Sequence, residues 1–305
     1  MTRPGKAGFS GGAALLLLEL FQRLSQRQKI PLQRGFRVPA GERPRGRGQS
    51  MNFIISADTD IGLTKSTNQD SLSLKALQTP TGKMAFAVLC DGMGGLAEGE
   101  VASASVVRAF HDWVMNELPA LSGGVIEDFQ IREQWERIVK EQNERIMGYG
   151  ASRGIRLGTT VVAILLTQTR YYIMNVGDSR AYELTDTLRQ LTNDQTFVAR
   201  EVAMGRMTEE EAEQDSRRSV LLQCVGASEA VYPDFFFGEP KINAVYFLCS
   251  DGFRHEISAD EIFRTLQPAG MVDERSMAQN ARALIELNKQ RSERDNISIA
   301  MIRTY

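Results

Sequence analysis

The sequence is poor in the side chains on which soft-metal and covalent chemistry depend. Its 305 residues include three cysteines, Cys90, Cys224 and Cys249, and two histidines, His111 and His255. Cysteines so few and so scattered exclude a disulfide framework and a zinc cluster. Two of them sit in apolar strand-like runs, where a free thiol behaves as a small hydrophobe. A reduced interior of that kind is expected of a cytoplasmic protein. His111, beside Phe110 and close to Trp113 in a helical pattern, reads as packing or surface; for His255, after an Asp-Gly turn, the rim of a pocket is the minority reading, since perturbed site histidines are few.

Long apolar runs are also missing. Ala13 to Leu18 is apolar but Glu19 ends it, far short of the roughly 20 residues a bilayer span needs. It is short for a signal-peptide core too, and no small-residue cleavage site follows it cleanly. The formal net charge of −2 conceals an asymmetry: residues 1–50 hold ten Lys/Arg against Glu19 and Glu42, a surplus of eight, which leaves −10 for residues 51–305. An acidic globular part is a poor partner for nucleic acid. Glycine, proline and arginine around residues 31–50 cannot build a core, so residues 1–50 are expected to be a disordered basic extension. Met51 stands immediately before the first strand-like run and is the expected start of the working protein, with residues 51–305 as one domain.

What remains is an ordinary globular composition, 42% hydrophobic and 24% charged. Strands are expected at Asn52–Ala57, Ser71–Ala76 and Lys83–Leu89, the last two joined by a Pro80-Thr81-Gly82 hairpin. Apolar residues at 102, 106, 110, 114 and 118 predict one face of a long helix over Ala97–Leu118. A second helix follows Ser122-Gly123-Gly124, with Ile131, Trp135, Ile138, Val139 and Ile146 inward. Closely spaced strands then follow at Gly158–Leu166, Tyr171–Val176, Ser179–Leu184 and Leu188–Thr192. Connections this short predict antiparallel hairpins, since parallel crossovers need a dozen or more residues. Thr196 to Arg218 reads as a helical excursion over the surface, with Thr208 and Glu211 placed for a capping box. Strands at Val231–Phe237 and Ala244–Cys249, helices at Asp260–Leu266 and Met277–Leu287, and a strand at Ile297–Ile302 complete an α+β pattern of antiparallel sheets covered by helices.

Five aspartates share one context, a strand end beside glycine or asparagine: Asp70, Asp91, Asp178, Asp251 and Asp295. One such residue is a turn former. Five on one sheet system can converge on a single pole, where carboxylates repel unless cations neutralise them. Carboxylates with a backbone carbonyl, such as that of Gly92, are hard oxygen ligands suited to Mg²⁺ or Mn²⁺ rather than zinc. A water acidified between two such ions is a nucleophile in its own right, so no serine, cysteine or histidine nucleophile is required.

In order and spacing these motifs resemble the bacterial metal-dependent Ser/Thr protein phosphatases of the PPM, or type 2C, family. The resemblance rests on Asp60-Ile61-Gly62, Asn68-Gln69-Asp70, Asp91-Gly92-Met93-Gly94-Gly95, Gly158-Thr159-Thr160, Asn175-Val176-Gly177-Asp178-Ser179-Arg180, Leu191-Thr192-Asn193-Asp194, Ser250-Asp251-Gly252 and Asp295-Asn296. It spans about residues 53–302. It implies a four-layer αββα sandwich of two antiparallel sheets, with Mn²⁺ or Mg²⁺ at one end. Asp91, Asp251 and Asp295 would hold the first ion, Asp91 and the Gly92 carbonyl the second with Asp70 beside them through water, and Asp178 and Asp251 a looser third. Lys65 stands where the family usually carries a phosphate-gripping arginine, and gives charge without bidentate geometry. Met93 stands where eukaryotic members have a candidate general acid, and Gln195 where the family has a histidine that reads as structural. Thr196–Arg218 would be a flap beside the site, and Thr159 and Thr160 core residues. The implied activity is hydrolysis of phosphoserine and phosphothreonine in phosphorylated proteins, substrates of a Ser/Thr kinase, by a monomer with no nucleic-acid partner. Two alternatives stand beside it: a silent regulatory module on the same fold, and a phosphatase dedicated to one phosphorylated regulator.

Overall fold

The structure is a computed structural model, and residues 50–93 and 98–305 are described. The expected basic extension, apart from Ser50, lies outside the described residues, as do Gly94, Gly95 and the first residue of the expected helix, Ala97. Strands β1 (Phe53–Asp60), β2 (Asp70–Thr79) and β3 (Gly82–Asp91) come first, followed by helices α1 (Gly99–Asn116) and α2 (Asp128–Arg153). Then come β4 (Val161–Leu166), β5 (Tyr171–Val176), β6 (Arg180–Leu184) and β7 (Leu188–Gln190). Two short helices, α3 (Phe197–Ala203) and α4 (Glu209–Gln214), precede β8 (Asp234–Gly238) and β9 (Val245–Cys249). The chain ends with α5 (Ala259–Thr265), α6 (Glu274–Gln290) and β10 (Ile297–Thr304).

The strands form two five-stranded sheets in which every pairing is antiparallel, ordered β2-β3-β4-β5-β8 and β1-β10-β9-β6-β7. Three buried clusters show how the layers stack. Strand β3 sends Phe86, Val88 and Cys90 to a cluster with Phe110, Trp113 and Trp135 from α1 and α2. Its alternate residues Ala85, Ala87 and Leu89 meet Tyr246, Leu248, Ala300 and Ile302 of the other sheet. The far face of that second sheet, with Phe247, Ile299 and Met301, packs on Leu284 and Ile285 of α6. Three cores between four layers are the expected αββα sandwich. A strand buried on both faces carries no polar alternation, which is why β4, and β3 from Met84 to Cys90, read as unbroken apolar runs. The indoles of Trp113 and Trp135 meet edge to face, with centroids 5.5 Å apart, and tie α1 to α2 over Phe86.

One expectation needs correction. Strands β5 and β6, read from their short connection as a hairpin, do not pair: β5 lies in one sheet and β6 in the other. The chain changes sheets at Gly177-Asp178-Ser179. Gly177 makes this possible, with φ at +104° and so little room that a Cβ would come within 2.6 Å of Thr160 Cγ2. The same correction applies to the carboxylates. They lie at the ends of two sheets rather than one, and Asp178 sits on the crossing between them.

Candidate functional site

Asp70 opens β2 and Asp91 closes β3, and the two are direct partners across the antiparallel ladder. Asp251 begins a single 3₁₀ turn after β9, and Asp295 lies two residues before β10. Backbone hydrogen bonds hold this end of the sandwich together. Asp91 N–H donates to Thr160 Oγ1 at 3.0 Å, while Thr160 N–H and Thr159 Oγ1 donate to the Asp91 carbonyl at 2.9 and 2.8 Å. Thr159 and Thr160 are therefore structural, as expected, although β4 itself starts one residue later at Val161. Gly92 packs so closely that a Cβ would meet the carbonyl oxygens of Gln69 and Gly99 at 2.5 Å each. Asn296 fastens the opposite wall: its side chain accepts from Gln69 N–H at 2.9 Å and donates to the Ile61 carbonyl at 2.9 Å.

The five carboxylates share one electrostatic environment. Burial, then the charges of Asp251 and Asp295, push the Asp70 carboxyl up to about 7, while the nearby Ser298 and Ser250 hydroxyls pull it down. Neither hydroxyl closes a hydrogen bond of normal geometry, and both Asp70 oxygens are buried without a partner among the described residues. Burial, followed by the Asp251 charge, also raises Asp178 to about 7. Asp91 is pushed well above the carboxylate range by burial and by all four of the others. Asp251 Oδ1 is a further buried oxygen without a partner.

Positive groups border this cluster. Lys65 Nζ pairs with Asp295 Oδ1 at 2.8 Å. Burial alone would lower the Lys65 ammonium, but Asp295, with Asp91 and Asp251 beyond it, raises it above the usual lysine range. His255 lies 3.6 Å from Asp251 Oδ2 and 3.3 Å from Glu293 Oε2. Burial would lower its imidazole, yet the Glu293 hydrogen bond and the Asp251 charge raise it. Arg254 Nη2 donates to the Asp178 carbonyl at 3.1 Å.

Gln195 occupies a structural place, as expected. Its amide oxygen accepts from Gly177 N–H at 2.9 Å and its Nε2 donates to Asp234 Oδ2 at 2.8 Å, bracing the turn that carries Asp178. The stretch Thr196–Arg218 is the expected helical excursion, with α3 and α4 inside it and the Thr208/Glu211 capping box formed. Sequence reasoning missed Arg254 and Glu293 as neighbours of the carboxylates, whereas Asn296 was already placed beside Asp295. Arg254 directly follows Ser250-Asp251-Gly252-Phe253, and that adjacency was the available signal.

These residues fit hard divalent cations in chemistry and environment. Buried carboxylate oxygens without donors, crowded enough to raise one another's proton affinity, are what a cation would relieve. Among the described residues no three acidic, histidine or cysteine side chains already close on one point as a finished ligand shell.

Residues 63–290 match the protein phosphatase 2C family. The chain is 32% identical over 249 residues to the serine/threonine protein phosphatase PstP of Mycobacterium tuberculosis, covering 81% of this chain and 44% of that protein. It is 29% identical over 247 residues to the serine/threonine phosphatase stp of Listeria innocua, covering 80% of this chain and 93% of that one. A crystal structure of the catalytic domain of PstP in complex with two manganese ions superposes with a TM-score of 0.67 at 29% identity, covering 84% of this chain and 99% of that one.

Proposed function

Because this chain belongs to the protein phosphatase 2C family, we propose that its aspartate cluster holds two divalent cations, Mn²⁺ or Mg²⁺, in the service of phosphoserine and phosphothreonine hydrolysis. The observation that carries the reading is the gathering of buried Asp70 with half-buried Asp91 and Asp251 at one end of the sandwich, where both oxygens of Asp70 and one of Asp251 are left without donors among the described residues. Asp91, Asp251 and Asp295 are the proposed ligands of one ion. Asp91 and the Gly92 carbonyl are those of the other, with Asp70 beside them through water. When bound, such ions acidify water and neutralise charge on a phosphate.

The protein's own residues supply position and charge. Thr159 and Thr160 hold the Asp91 backbone from both sides, so its carboxylate is delivered from a fixed strand end. Lys65 stands at the rim as a compact cation able to attract a phosphate dianion, although Asp295 already holds it. The α3–α4 excursion is the proposed flap for substrate selection. Phosphorylated proteins made by a Ser/Thr kinase are the proposed substrates. Among the described residues no helix is long and apolar enough to cross a membrane. Free buried Cys90, Cys224 and Cys249 suit a reducing cytoplasm, where we place a monomeric enzyme.

The test is phosphate release from a phosphothreonine peptide by the full chain, with Mn²⁺, with Mg²⁺ and with chelator. Metal-dependent turnover is expected. A chain that binds Mn²⁺ yet releases no phosphate from peptides or p-nitrophenyl phosphate would be a silent module.

A further inference from the structure

Asp178 and Asp251 are the pair that the family resemblance assigns to a third, looser cation, and the structure places a side chain of this protein there. Arg254 ends the 3₁₀ turn that Asp251 begins, its backbone N–H donating to the Asp251 carbonyl at 3.0 Å. From that fixed base its guanidinium reaches back over the crossing between the sheets. Nη2 donates to the Asp178 carbonyl at 3.1 Å and lies 3.9 Å from Asp178 Oδ2 and 3.6 Å from Asp194 Oδ2. The side chain is 15% exposed, and its Nε is buried without a partner among the described residues. Asp194 itself is gripped in a bidentate pair by Arg180, at 2.8 and 2.7 Å. The guanidinium is therefore shared between Asp178 and an Asp194 that Arg180 already pairs.

We propose that Arg254 takes the place of a third divalent cation beside Asp178, so that this chain holds two ions and carries a permanent charge at the third position. A divalent cation binds carboxylate oxygens at about 2.0–2.6 Å. An ion that close to Asp178 would stand a few ångströms from a guanidinium that cannot lose its proton, and two like charges at that range repel strongly when partly buried. His255, 3.6 Å from Asp251 Oδ2, adds a second potentially positive group on the same side. Asp178 then acts as a positioning residue. It fixes Arg254, and through the 3₁₀ turn it steadies Asp251, rather than ligating metal.

The proposal rests on the two-ion reading above, and one measurement separates the two. Equilibrium dialysis of the full chain against MnCl₂ up to several millimolar, with bound metal counted, is expected to give two ions per chain. Asp178→Asn is expected to keep a count of two ions. Arg254→Met is expected to admit a third, weak ion, and Arg254→Lys, which keeps the charge, to stay at two. A wild-type count of three, loss of one ion in Asp178→Asn, or a folded Arg254→Met that stays at two overturns the proposal. Should Arg254→Met not fold, the wild type and Asp178→Asn decide it. A wild-type count of zero would instead sink the metal reading itself.

Discussion

Lys65 Nζ lies 2.8 Å from Asp295 Oδ1, which joins the proposed phosphate-attracting side chain to a proposed metal ligand. The pair is partly exposed, at 27% and 38% for the two side chains, so its strength is that of a rim ion pair, about 0.2–1 kcal/mol. Were Asp295 to hold a cation, its pair with Lys65 would be given up and the ammonium would be free to face a phosphate. Lys65→Ala is therefore expected to raise KM for a phosphopeptide and, at the same time, to tighten Mn²⁺ binding by about two- to fivefold. Lys65→Arg is expected to lower KM by an amount near the ~1 kcal/mol of one added charge-assisted hydrogen bond. Steady-state kinetics and calorimetry measure both, and variants that match the wild type in KM and in metal affinity would remove Lys65 from the site.

Asp91 is a proposed ligand of both ions and Asp251 of one. Asp91→Asn and Asp251→Asn should abolish turnover, since loss of a ligand carboxylate costs several kcal/mol of transition-state stabilisation, most of all where it bridges two ions. Calorimetry with Mn²⁺ supplies the independent readout. Equal metal stoichiometry and equal activity in wild type and Asp91→Asn would refute the placement.

The metal-free protein should have an inverted pH profile of stability. Asp70 and Asp178 hold their protons up to about 7 in the folded chain, against an ordinary 3.8 when unfolded. Between these values the folded state binds more protons than the unfolded one, so stability falls as pH rises. The contribution is complete below about pH 4 and gone above about pH 7. Cations held by the neighbouring carboxylates would reverse the trend, because positive charge nearby disfavours a proton on Asp70 and Asp178. Thermal melts in chelator should show Tm dropping from pH 5.5 to pH 8, and the Tm gain on adding MnCl₂ should be larger at pH 8. A gain independent of pH would contradict the shared environment of the carboxylates.

Thr160 is 2% exposed and accepts from the Asp91 N–H, and it shares a 2.7 Å hydroxyl contact with Ser179. Thr160→Val keeps the shape and leaves that N–H unsatisfied, a cost of about 1–3 kcal/mol. A lower Tm with a reduced kcat and an unchanged KM is expected. An unchanged Tm would mean that Asp91 is held by other contacts.

We further propose that residues 51–305 fold and work without residues 1–50. Asn52 and Tyr305 exchange both backbone hydrogen bonds, at 2.8 and 3.1 Å, and Met51 N–H donates to Gln168 Oε1 at 2.8 Å, so the sandwich is closed from Met51 onward. The shortened and full chains should match in Tm and turnover. A shortened chain that is insoluble or several-fold less active would assign residues 1–50 to the fold.

Local chemistry determined much of this protein. Unbroken apolar runs around Phe86 and Ile164 announced strands buried on both faces, the 102-106-110-114 spacing announced α1, and Thr208 with Glu211 announced a capped turn. These signals act within a few residues, and short-range sterics and hydrogen bonding decide them. The aspartate motifs were legible for the same reason, each being a strand end beside a turn residue. What the tertiary structure decided is which sheet each strand joins and which charges meet. A three-residue connection does not reveal that β5 and β6 part company, because pairing depends on Tyr171–Val176 finding β4 and β8 while Arg180–Leu184 finds β7 and β9. Lys65 reaches Asp295 across 230 residues of chain, and Arg254 reaches Asp178 across 76. Contacts at such separations follow from the closing of the two sheets on each other, and no local pattern in the chain encodes them.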